Sequence, residues 1–201
     1  MPKRPTEEYE IPGLVDSKTD PENKDEWRTD PVLFELCNRE FKFNLDAAAS
    51  AENTLCHNYY TQEDNALEQD WGMLPRITNV WCNPPFSLKW EFLKKGWQEH
   101  LKGANCCFLV PGDAQETRWW VETVYDLDYL AGPNLYRPRL HTRILMPRVN
   151  FYTPDGLHKK GNNRPSALII MGWNLAPGIF TWDWKTEAYR QGLIPKGRKN
   201  G

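Results

Sequence analysis

The residues best suited to chemistry are Asn83-Pro84-Pro85-Phe86. Two prolines fix φ and remove two backbone donors. Each also holds the residue before it extended. The product is a stiff turn rich in acceptors: the Asn83 side-chain oxygen and the Pro84 carbonyl. Phe86 adds an aromatic face beside them. Such a group suits a planar ring carrying an NH2, with two acceptors for its two hydrogens and a ring to stack on. The competing reading of the tetrapeptide alone is a proline-stiffened surface turn.

An apolar run, Val80-Trp81-Cys82, precedes this stretch, and a helical pattern begins near Ser87. Leu88, Phe92, Leu93 and Trp97 recur at helical spacing, and Gly103 ends the pattern. The turn therefore leaves the carboxyl end of a strand, where open α/β sheets place ligands. Upstream, Pro31 opens a helix with Val32, Leu33, Leu36 and Cys37 on its apolar face and Asp30 as N-cap. Phe41 to Leu45 alternates as a strand and runs into Asp46-Ala47-Ala48-Ala49-Ser50. Small residues after a strand let a ligand approach the backbone, although a small-residue packing turn has the same signature.

Further elements are a short helix over Ala51–His57, a strand piece at Asn58–Tyr60 and a helical turn from Thr61 to Leu67. In that turn Glu63 or Asp64 could hold a ribose diol, or simply complement a helix dipole. Cys106 to Val110 is wholly apolar, as inside a parallel sheet. Gln115 to Val124 reads as a helix, Val149–Tyr152 and Ala167–Met171 as strands. Strand and helix thus alternate from Phe41 to Val124, which predicts an α/β, doubly wound, Rossmann-like fold. One domain is expected over residues 25–175. Residues 1–24 read as an acidic tail and 176–201 as a second tail.

Composition narrows the classes. Hydrophobic residues are 40% and charged residues 26% of 201, an ordinary globular balance. Net charge is −2, so any nucleic-acid surface must be local. It is offered between Arg137 and Arg164, where seven bases face one acid, Asp155. Asn134, Arg137, Arg139, His141 and Arg143 are the candidates there, since arginine forks can grip phosphates or read guanine edges. A solvated loop balancing the acidic tail is the alternative. The five cysteines are odd in number, with Cys106 and Cys107 adjacent, which argues against a disulfide framework and against a metal site. Reduced thiols in a cytoplasm are expected. No apolar run approaches a membrane span.

Taken in order, Asp25-Glu26-Trp27-Arg28-Thr29-Asp30-Pro31, Leu45-Asp46-Ala47-Ala48-Ala49-Ser50, Asp64-Asn65-Ala66-Leu67 with Asp70-Trp71, Trp81-Cys82-Asn83-Pro84-Pro85-Phe86-Ser87, Leu109-Val110-Pro111 and Arg148-Val149-Asn150-Phe151 resemble the compact phage-encoded Dam-type DNA adenine methyltransferases. The resemblance covers about Asp25 to Gly172. It implies S-adenosylmethionine as cofactor and double-stranded DNA as partner, in a bacterial host cytoplasm. It makes Thr29, Asp46, Ala47, Ala48, Ser50 and Asp64 cofactor candidates. It assigns Asn83, Pro84, Pro85 and Phe86 to a flipped-out adenine, in a site such as GATC, and a recognition segment to about 132–165. The chain departs from the family at two points: Asn replaces the Asp of many adenine enzymes, and the cofactor turn lacks glycine. Cytosine N4, an RNA adenine or a protein glutamine remain possible targets, and a DNA-binding protein with a degenerate cofactor fold is the non-enzymatic alternative.

Overall fold

The computed structural model describes residues 27–72, 78–127, 136–153 and 164–195, and for 126–127 and 136–138 the backbone alone. Expectations for Asp25, Glu26, Ile77, Asn134 and residues 154–163 lie outside these residues, as does the Arg137 side chain.

Helix α1 spans Pro31–Phe41. The Asp30 carboxylate accepts from Val32 N at 2.8 Å and Leu33 N at 3.4 Å, so the cap read from sequence is in place. Lys42, at φ 54°, ends the helix in the left-handed region. This corrects the strand expected from Phe41. Phe41 and Phe43 alternate with Lys42 because a helix end turns there, and the strand β1 is only Leu45–Asp46. The expected helix Ala51–His57 is a run of turns leading to β2, Asn58–Tyr59. Asn53 and Thr54 bond the backbone locally, offering the chain an alternative to helix. Residues 61–67 are likewise turns, not helix.

Strand β3, Asn79–Cys82, leads through Asn83-Pro84-Pro85 and a 3-10 turn, Phe86–Leu88, into α2, Lys89–Leu101. Strand β4 is Asn105–Pro111 and α3 is Arg118–Val124, shorter at its start than expected. A small ribbon, β5 Tyr125–Leu127 with β6 Tyr136–Pro138, follows α3. Then come β7 His141–Met146, β8 Ser166–Met171, β9 Gly178–Asp183 and α4 Trp184–Arg190. Val149–Tyr152 forms a single bridge, Tyr152 to Arg28, rather than a strand. Residues 178–190, expected within a tail, instead supply the edge strand β9 and the helix α4.

The main sheet has the order β2-β1-β3-β4-β8-β7-β9. Neighbours are parallel except around β8, which runs antiparallel to both β4 and β7. The architecture is mixed α/β around a seven-stranded sheet. The strand-helix alternation predicted from Phe41 holds only over β3-α2-β4-α3. Both sheet faces are covered. On one, Val80, Cys82, Phe108 and Ile169 pack with Phe92, Leu93 and Trp120 of α2 and α3. On the other, Trp81, Cys107, Leu109 and Leu168 pack with Leu33, Leu36 and Cys37 of α1 and Trp184 of α4. Gly96 lets α2 lie close on β4, because a Cβ there would collide with the Phe108 ring. Register pairs Asp46 with Trp81 and Cys82 with Phe108, so the loops after β1 and β3 leave the carboxyl ends of neighbouring parallel strands side by side.

Candidate functional site

At the carboxyl ends of these strands Pro84 is buried while Phe86 keeps 43% of its surface exposed. Asn83 is half-buried, and its Nδ2 donates to the Trp27 carbonyl at 2.9 Å. This bond orients the amide: the nitrogen faces the protein, and Oδ1, without a described hydrogen-bond partner, is the acceptor left to a ligand. Trp27 is held in turn. Its ring meets Phe151 edge-on at 5.8 Å, and Arg28 exchanges both backbone bonds with Tyr152. The described part of the segment Asp25–Pro31, from Trp27, and the segment Arg148–Phe151 therefore meet next to Asn83. Neither Trp27 nor Tyr152 was singled out from sequence, since a backbone carbonyl's role leaves no mark in residue type.

The turn after β1 lies alongside. Asp46 is buried, with Oδ1 accepting from Ala48 N at 3.3 Å and Oδ2 from Leu55 N at 3.1 Å. Burial pushes its carboxyl up to about 6, while the Leu55 and Ala48 amides pull the other way. The Ala47 amide is spent on Trp81 O, Ala49 on Tyr60 O and Ser50 on the Asn53 side chain. This turn offers small side chains and a buried acid rather than open backbone donors. Thr29 is buried beside the Asp30 cap. Asp64 is exposed and accepts from both the amide and the hydroxyl of Thr61, which hold it below the usual carboxylate range. That is a turn-closing acid.

The basic candidates are not one surface. Arg139 donates to the Glu122 and Thr123 carbonyls at 2.9 and 3.2 Å and lies 4.4 Å over the Trp97 ring, so it caps α3. Arg143 makes a two-pronged pair with Glu40 at 2.7 and 2.6 Å, between Phe41 and Trp182. His141 stacks on Phe180 at 4.8 Å and bonds the Ala176 carbonyl through Nδ1. Arg139 and Arg143 are thus engaged inside the fold. Arg148 and Arg164 are exposed, the latter 3.9 Å from Asp113. Among the described residues no group of His, Cys, Asp and Glu could hold a metal, and no helix is long and apolar enough to cross a membrane.

A family model described as DNA N-6-adenine-methyltransferase (Dam) matches residues 16–194. The chain belongs to the Dam family. Among relatives, a DNA N-6-adenine-methyltransferase of Escherichia phage T1 is 38% identical over 100 residues, 49% of this chain and 40% of that protein. The match thus spans less than half of the T1 protein. A DNA N-6-adenine-methyltransferase of Haemophilus phage HP1 (strain HP1c1) is 25% identical over 162 residues, 78% of this chain and 84% of that protein. The Dam match extends past both ends of the domain expected at 25–175, and takes in β9 and α4.

Proposed function

We propose that this Dam-family chain is an S-adenosylmethionine-dependent methyltransferase acting on N6 of an adenine flipped out of duplex DNA. The observation that carries the reading is the fixed amide of Asn83, with its nitrogen spent on the Trp27 carbonyl and an exposed Phe86 three residues further along the loop. An exocyclic amine is a poor nucleophile because its lone pair is delocalised into the ring. Asn83 Oδ1 and the Pro84 carbonyl accept its two hydrogens and favour a pyramidal nitrogen with the lone pair directed outward. Pro85 stiffens the loop, and the exposed face of Phe86 stacks the base. The catalytic work of the chain is positioning and polarisation.

The residues present fit the cofactor. A buried acid, Asp46, suits a cationic ligand, and the small side chains from Ala47 to Ser50 leave room next to the Asn83 loop. Asp46, Ala47, Ala48, Ser50 and Thr29 would hold it; Asp64 would contribute at most through the oxygen Thr61 leaves over. When bound, S-adenosylmethionine supplies an electrophilic methyl group. The fold is read as a Rossmann-like methyltransferase sheet in which β8 is the reversed strand.

For DNA, the engagement of Arg139 and Arg143 leaves Arg137 from the original set, with Asn134, and adds the exposed Arg148 and Arg164. The test is incubation of the protein with labelled cofactor and DNA duplexes containing GATC or a scrambled site, with RNA of the same sequence in parallel, then nucleoside mass spectrometry. N6-methyladenine is expected, and preferentially from GATC. N4-methylcytosine, methylated RNA alone, or no product would each reject the proposal.

A further inference from the structure

We infer that Lys89 is a positioning residue that sets the Phe86 ring for the target base; this rests on the reading of Asn83–Phe86 as the base-binding loop. Lys89 opens α2, three residues beyond Phe86. Its Nζ donates to the Phe86 carbonyl at 2.9 Å and stands 4.3 Å from the centroid of the Phe86 ring. One ammonium therefore holds both the backbone and the side chain of the same residue. Phe86 otherwise has few restraints: it is 43% exposed, and no described aromatic ring packs on it. A ring so exposed would swing about χ1 and χ2 and lose entropy on stacking a base. Lys89 removes part of that freedom beforehand, which is preorganisation.

The cation also selects a face. With Nζ over one side of the ring, a flat ligand has the other side to stack on. A cation behind the ring draws π density away from the open face. That face then suits an electron-rich purine better than the bare ring would. Trp119, whose ring lies 5.7 Å from the same Nζ, backs the ammonium from α3. A surface lysine serving only as a phosphate contact would not need this placement.

The experiment uses full-length protein and a duplex with 2-aminopurine at the target position, alongside methylation kinetics on the normal duplex. Lys89→Met keeps the stem and removes the charge and the hydrogen bond. The expected result is kcat lowered about tenfold, the scale of one cation–ring contact. A smaller 2-aminopurine fluorescence change should accompany it, with cofactor affinity and melting temperature as in the wild type. Lys89→Arg, which can reach the same carbonyl and ring, should restore both signals. Wild-type kcat and fluorescence in Lys89→Met would overturn the inference. So would a loss confined to DNA affinity with a shallower salt slope, which would make Lys89 a phosphate contact. A lowered melting temperature without rescue by arginine would overturn it too, leaving only a structural role. Failure of the wild-type protein to form N6-methyladenine would instead overturn the reading of the loop beneath it.

Discussion

Asn83 differs from aspartate by one donor, and the fold uses that donor. Its Nδ2 is bonded to the Trp27 carbonyl. Asn83→Asp would set a carboxylate oxygen against a carbonyl oxygen at that distance. The side chain would turn or the Trp27 segment would move. Methylation should fall at least about tenfold, although many enzymes resembling this one carry Asp there; losing this hydrogen bond and opposing two oxygens costs about 1–3 kcal/mol. Asn83→Ala should cost about 100-fold with little change in cofactor affinity. Steady-state kinetics on both variants checks this, and an Asp variant as fast as wild type would remove Trp27 from the argument. Asp46 gives a second prediction. Its folded value of about 6 lies above the ordinary 3.8, so the folded state holds the proton more tightly. Its stabilising contribution is complete below about pH 4 and is lost as pH rises through about 6, a change on the order of 3 kcal/mol. Urea unfolding between pH 4 and 7 should show this slope in the wild type and not in Asp46→Asn. At this scale the Asn83 loop was legible because its groups adjoin in sequence. Arg139 and Arg143 were not, because Arg143 meets Glu40 103 residues away and Arg139 meets backbone carbonyls.

Among elements, the long apolar ones declare themselves and the short ones do not. β4 and β8 are runs of buried residues, and α1 and α2 show helical spacing, α1 after the Asp30 cap and α2 before Gly103. β1 and β2 are two residues each, set by pairing rather than by any local pattern: β1 lies on β3, and β2 on β1. β9 was hidden because it lies at the sheet edge with Phe180 and Thr181 exposed, so no apolar run marks it. The tie between elements that matters most is Arg143 to Glu40, which fastens β7 to α1 and so steadies the chain that presents Trp27. Its Arg side is 13% exposed and its Glu side 41%. Arg143→Met should lower stability by about 2 kcal/mol, between the values for exposed and buried pairs. DNA affinity at fixed folded fraction should not change. A thermal melt and a binding titration on the same sample decide; unchanged melting with weakened DNA binding would return Arg143 to the interface.

For the molecule as a whole, chemistry of the thiols follows from where the sheet puts them. Cys37, Cys82, Cys106 and Cys107 are buried and Cys56 is half-buried, all as free thiols. Burial also pushes the Cys56 thiol up to about 12. Native protein should therefore react slowly with a thiol reagent, through Cys56 at most, and give five thiols after denaturation. Prompt labelling of more than one in the native state would mean the core opens. The placement of β8 has a consequence for assembly. It lies between β4 and β7 and is bonded to both, yet it comes after both in the chain. During synthesis β4 emerges with Cys106 to Val110 unpaired on one side, and stays so until residue 171 has left the ribosome. Closing the sheet is then an insertion between strands already made, a slow non-local step during which an apolar edge stands open to other nascent chains.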